Sequence, residues 1–131
     1  MIDVTWTDEG QRIIHYKFQR GWSWDDLYAA ESQSLEMAAR VAPQPVHIVL
    51  DMRESQVIPH NALSHITVVM KRQPPNLASV MFIGANAFVK VLVNMMERLR
   101  LNDKTPMIYL NSEKELETRI NAINDVDSTS Q

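Results

Sequence analysis

Few residues in this chain have the type and spacing that chemistry requires. Glu31 falls inside a helical apolar stripe, between Leu27, Tyr28 and Leu35. A carboxylate held away from water there binds its proton more tightly and can act as an acid. The same residue at the edge of the stripe reaches water or pairs with a cation. Asp51, followed by Arg53, closes one apolar run, and Gly84-Ala85-Asn86 and Asn111-Ser112 close two more. If these runs are parallel strands, Asp51, Arg53, Gly84, Asn86, Asn111 and Ser112 share one rim. That is the usual ligand position of an open sheet, and the helix N-termini beside it favour an anion. Asp51, Asn86 and Ser112 can equally satisfy loop and cap N–H groups with no ligand present.

The four histidines suggest no metal centre. His60 and His65 are five residues apart, roughly 140° around a helix, so they do not face one ion. His15 and His47 fall on strands, with no carboxylate at ligand spacing. The chain has no cysteine, which excludes disulfides, thiolate nucleophiles and Cys-ligated zinc. It contains no Gly-x-x-x-x-Gly-Lys loop, no Gly-x-Ser-x-Gly elbow and no Gly-x-Gly-x-x-Gly fingerprint. The expectation is a protein with no catalytic residues, no metal and no cofactor.

Regular alternation of helix and strand signals must position whatever these residues do. Val4 and Trp6 point one way and Thr5 and Thr7 the other, and Asp8-Glu9-Gly10-Gln11 supplies a turn with Gly10 free to take positive φ. The return strand, Ile13 to Phe18, puts Ile14, Tyr16 and Phe18 on one face. Gly21 ends it, and Ser23 with Asp26 forms a capping box for a helix from Trp24 to Ala42, which Pro43 and Pro45 stop. Val46 to Leu50 reads as a central strand and Asn61 to Lys71 as a second helix. Ser79 to Ile83 is the next strand. A third helix, Asn86 to Leu101, carries an apolar arc of roughly 200°, wider than one sheet face needs. Either a neighbouring helix covers the surplus, or Val91 and Met95 form an exposed patch for another subunit. Eight methionines tilt the reading slightly towards association, because their side chains adapt to partners, while plain core burial remains the ordinary outcome for such an arc. Met107 to Leu110 is the last strand, and Ser112 and Glu115 cap a final helix with Leu116, Ile120 and Ile123 inward.

The order is ββαβαβαβα: an α/β domain with a mostly parallel sheet and an antiparallel N-terminal hairpin. At 131 residues and 15.1 kDa the chain holds one domain, residues 1–124, with a polar tail, 125–131, expected to fray. Thirteen basic against sixteen acidic residues give a net charge of −3, contrary to the basic face that nucleic-acid binding requires. No apolar run reaches the ~18 residues of a membrane span, and the N-terminus carries no signal-like segment. A cytoplasmic protein that neither binds nucleic acid nor inserts into membranes is expected.

Three stretches resemble the STAS domain of anti-sigma-factor antagonists and the wider SpoIIAA-like group. They are Ile48-Val49-Leu50-Asp51, then Val80 to Asn86 running into Val89 and Leu92, and Met107 to Leu116. The resemblance extends from about Val4 to Ile123. It implies a small regulatory or interaction domain with a protein partner, such as a second copy of itself. In partner-switching members a Ser within Asp-Ser-Ser-Gly-Leu, at the start of the second helix, is phosphorylated. This chain reads Pro59-His60-Asn61-Ala62-Leu63, so His60 and Asn61 occupy the switch region and no hydroxyl stands at the acceptor position. The resemblance therefore implies an interaction domain without the Ser phospho-switch. The alternative is a carrier of a small apolar molecule or lipid, in which the wide helix lines a cavity.

Overall fold

Sequential strands joined by right-handed crossovers that all step the same way across a sheet must place every crossover helix on one face. This chain does so. A computed structural model describes residues 1–55, 57–98 and 105–129, giving the backbone alone for 126–129. Its elements are β1 (Ile2–Trp6), β2 (Ile13–Phe18), α1 (Trp24–Val41), β3 (Val46–Asp51) and α2 (Ala62–Lys71). They continue with β4 (Leu77–Ile83), α3 (Ala87–Arg98), β5 (Met107–Leu110) and α4 (Glu113–Thr129). The five strands lie in the order β1-β2-β3-β4-β5. β1 runs antiparallel to β2, and the other neighbours are parallel. The α/β layout expected from the sequence is thus the observed one.

The alternating residues of each strand divide the core in two. Ile14, Tyr16, Phe18, Ile48, Val80 and Phe82 face α1 and α3, whose Trp24, Leu27, Ala30, Ala38, Val89, Leu92, Val93 and Met96 complete the larger cluster. Ile13, Val49, Met81, Ile83 and Leu110 point the other way and are covered by Leu116 of α4 with Ile120 and Ile123. The inward residues of α4 are those its pattern predicts. Its backbone continues to Thr129, into the stretch expected to fray, because each residue added to an established helix brings its own hydrogen bond.

Local chemistry fixes the joints. At the hairpin the Asp8 carboxylate accepts hydrogen bonds from the backbone N–H of Arg12 and of Ile13, each at 3.1 Å. The positive φ falls on Gln11 (56°) and not on Gly10 as the turn chemistry suggested, because the Asp8 bonds fold the chain back one residue later. Ser23 accepts from the Asp26 N–H and Asp26 from the Ser23 N–H, so the expected capping box starts α1. α2 begins differently. Its N-cap Asn61 sits in the left-handed region at φ 64° and makes no side-chain cap bond. Leu99, Leu101 and residues 102–104, expected to end the third helix and turn the chain, lie outside the described residues. No described helix is long and apolar enough to cross a membrane.

Candidate functional site

The carboxyl ends of the parallel strands do form a rim, and its polar groups are occupied by each other. Asp51, only 4% exposed at the end of β3, accepts from Arg53 Nε at 2.9 Å, Arg53 Nη2 at 2.7 Å and the Arg53 backbone N–H at 3.2 Å. His15 Nε2 lies 3.1 Å from Oδ2, the oxygen that Arg53 Nη2 also reaches. Burial alone would raise the proton affinity of this carboxyl, but the hydrogen bonds from Arg53 and His15 outweigh it and hold the pKa at about 2. Arg53 reaches on to the Glu113 carboxylate, tying the end of β3 to the start of α4. Gly84 is required beside it. Its φ is 80°, and a Cβ there would lie 2.7 Å from the Arg53 backbone nitrogen.

The remaining rim residues serve the helices that follow them. The Asn86 side-chain Oδ1 accepts from the Val89 N–H at 3.0 Å, and Ser112 Oγ accepts from the Glu115 N–H at 3.2 Å. Asn111 donates its backbone N–H to the Glu115 carboxylate at 2.7 Å. Asp51, Arg53, Gly84, Asn86, Asn111 and Ser112 thus come together along one edge, as the topology predicts. What joins them is capping and ion pairing, the second of the two roles the sequence allowed. A cleft lined by Arg20, Arg53, Glu54 and Ser55 borders this edge.

The histidines are placed by pairs that sequence spacing does not reveal. Parallel registry of β2 and β3 pairs His15 with Val49 and so places it diagonally across from Asp51, a carboxylate contact that the spacing did not suggest. Registry of β3 and β4 brings His47 Nδ1 to Ser79 Oγ at 2.6 Å. His47 and Asp51 sit four residues apart along one strand, about 13 Å, so the two pairs do not merge into a Ser-His-Asp relay. His60 presents its backbone oxygen to Trp24 Nε1 at 2.6 Å while its side chain is exposed. His65 stacks on Trp24 with ring centroids 4.8 Å apart and hydrogen-bonds the Tyr28 hydroxyl, which pins α2 to α1. Among the described residues no group of three or more His, Asp or Glu could hold a metal ion.

Two apolar features are left over. α3 divides its wide arc between core and surface. Val89, Leu92, Val93 and Met96 are buried, whereas Phe88, Val91 and Met95 are 52%, 53% and 38% exposed. The exposed three are spaced i, i+3, i+7 and form one stripe. Val91 and Met95 are thus exposed within this chain, and Phe88 extends the patch.

The second feature is a cavity of about 110 Å³ between the sheet and α1, α2 and α3, walled by residues such as Phe18, Trp22, Ile66, Met70, Phe82 and Met96. Glu31 lines it. This residue is 2% exposed, and neither carboxylate oxygen receives a hydrogen bond. It is paired with Arg72 just beyond α2, with Nε 3.3 Å from Oε1. Burial raises the Glu31 pKa to about 6, and Arg72 offsets only part of the effect. Tyr16 and Ser34 line the cavity too. The Tyr16 hydroxyl, pushed up to about 12 mainly by burial, donates to Ser34 Oγ, which in turn donates to the Glu31 carbonyl at 2.9 Å. Trp22 Nε1 is a second buried group on this wall without a hydrogen-bond partner. Sequence reasoning singled out Glu31 because a carboxylate broke an apolar stripe. It missed Trp22, whose position in a loop gave no periodic signal.

Comparison with protein-family models, with curated proteins and with solved structures finds no match.

Proposed function

We propose that this chain is a non-enzymatic regulatory or protein-interaction domain that works through the outer stripe of α3, with a second copy of itself as the partner. The observation that carries the reading is the exposure of Phe88, Val91 and Met95 on one helix face whose opposite side is already in the core. Apolar side chains aligned in this way gain from burial against a partner, and methionine adapts to the partner's contours. The polar rim supports the reading indirectly, since its acids and bases are spent on one another and on helix caps. The resemblance to STAS domains points to the same class of function. With His60 where those domains carry the acceptor Ser, that position has no hydroxyl for a Ser phospho-switch.

Multi-angle light scattering at micromolar concentration tests this directly. The wild-type chain is expected at twice its 15.1 kDa mass. Val91→Glu combined with Met95→Glu, both on the exposed face, is expected at the single-chain mass with unchanged circular dichroism. A wild-type monomer would remove the second copy as the partner.

A second reading, a carrier of a small apolar molecule, is favoured by a separate observation: the carbon-lined cavity under α2 and the unbonded carboxylate in its wall.

A further inference from the structure

Not every polar group near the strand ends is spent on a neighbour. β2 and β3 are parallel, so the loops that follow them leave side by side, at the edge where open sheets hold ligands. Between these loops lies a cleft of about 470 Å³, within the range of small-molecule sites. Arg20 and Trp22 line one side of it, and Arg53, Glu54, Ser55 and Val57 the other.

Its charged groups differ in their commitments. Arg53 is held between Asp51 and Glu113, and Glu54 pairs with Lys17 at 3.6 Å. Arg20 is exposed and makes no ion pair or hydrogen bond with a described residue. Lys17, Arg20 and Arg53 stand against Asp51, Glu54 and Glu113, so the neighbourhood has no surplus charge to draw in a multiply charged ion. What Arg20 offers is a local partner for one anionic group, and Glu54 in the same cleft would repel a second negative charge.

Ser55 points to a ligand independently. It is only 6% exposed, yet its hydroxyl makes no hydrogen bond with a described residue. A hydroxyl buried to that degree is normally satisfied. Its Oγ is not one of the sealed orphan atoms, as those of Glu31 and Trp22 are, and the residue lines the cleft. Beside it are Val57, 81% exposed, and Pro59, apolar surface that gains from being covered.

We propose that this cleft binds a small organic monocarboxylate, with the carboxylate on the Arg20 guanidinium and the Ser55 hydroxyl and the apolar body against Val57 and Pro59. A guanidinium presents paired N–H groups that match the two oxygens of a carboxylate, and Ser55 donates a further hydrogen. The site shares no residue with the α3 stripe, so it is independent of the self-association reading.

Benzoate and benzamide are the probes, matched in shape and heavy-atom count and differing in charge. Each is titrated at neutral pH and low salt, with affinity and location read from the backbone amide resonances of Gly21, Ser55 and Val57. Benzoate is expected to bind about tenfold more tightly than benzamide, the effect of one charge-assisted contact. Arg20→Gln, at an exposed position, is expected to remove that preference, and Ser55→Ala to weaken benzoate about threefold. Circular dichroism and urea unfolding establish that both variants are folded. Phenyl phosphate, largely a dianion at this pH, is expected to bind less tightly than benzoate because it meets Glu54. Equal affinity for benzoate and benzamide, or benzoate binding undiminished in Arg20→Gln, would overturn the proposal. Tighter binding of phenyl phosphate would overturn the carboxylate class, and binding of no probe would mean that water alone fills the cleft and would overturn the site.

Discussion

Two carboxylates in this protein are almost equally hidden from water and are treated in opposite ways. Asp51, at the end of β3, is surrounded by donors from Arg53 and His15, and its pKa is held at about 2. Glu31, in the middle of α1, has one ion-pair neighbour and no hydrogen bond, and its pKa is raised to about 6. Burial therefore does not set the character of a buried acid; the supply of donors does. The rim around Asp51 is a finished structural joint between β2, β3 and α4. Around Glu31 the fold supplies the Arg72 charge and, among the described residues, no hydrogen bond.

The largest expected effect follows from taking the joint apart. Asp51→Ala removes the acceptor for Arg53 and His15 together and is expected to cost about 3 kcal/mol in urea unfolding near neutral pH. A loss below about 1 kcal/mol would mean that the rim network contributes little and that the two acids differ less than their surroundings suggest.

The pH dependence of stability separates the two acids by sign. Glu31 binds its proton more tightly folded than unfolded. Its contribution is complete below the unfolded value of 4.5 and is lost as pH rises through about 6, a change of about 2 kcal/mol. Asp51 runs the other way: its contribution is complete above 3.8 and disappears as pH falls towards 2, again about 2 kcal/mol. Unfolding free energies measured across this range are expected to fall on both sides of a maximum between pH 4 and 5. In Glu31→Leu the decline above pH 4.5 should vanish, because an apolar side chain of similar volume carries no desolvation cost. A decline that persists in the variant would assign it to another group.

A smaller effect tests whether the wall that carries Glu31 is independently anchored. Ser23→Ala removes one half of the capping box at the start of α1 and is expected to cost about 1 kcal/mol in urea unfolding. The pH dependence that Glu31 imposes should be unaffected, since Ser23 lies about two turns from Glu31.

Much of this architecture could be read before any coordinates. Strand alternation in Ile13 to Phe18, the capping box at Ser23 and Asp26, and the inward Leu116, Ile120 and Ile123 are short-range patterns, and each reappears in the structure. The positive φ at Gln11 escaped notice because it depends on where Asp8 closes the turn, not on which residue is most permissive. The pairing of His15 with Asp51 was invisible for a different reason. The two residues are 36 positions apart, and only the registry of β2 on β3 brings them together. The rim was legible as a location and its character was not, since spacing cannot reveal whether Arg53 turns towards Asp51 or towards solvent.

By itself the sequence determined the order of elements, the α/β class and the two-sided character of the sheet, because hydrophobic period and cap chemistry act over a few residues. It also marked Glu31 and the third helix as out of place. Only the tertiary structure decided what those anomalies mean. How α1, α2 and α3 pack on the sheet determines whether Glu31 is buried and which residues of α3 are left exposed. Both outcomes are set by contacts between elements distant in the chain, and a local pattern carries no record of them.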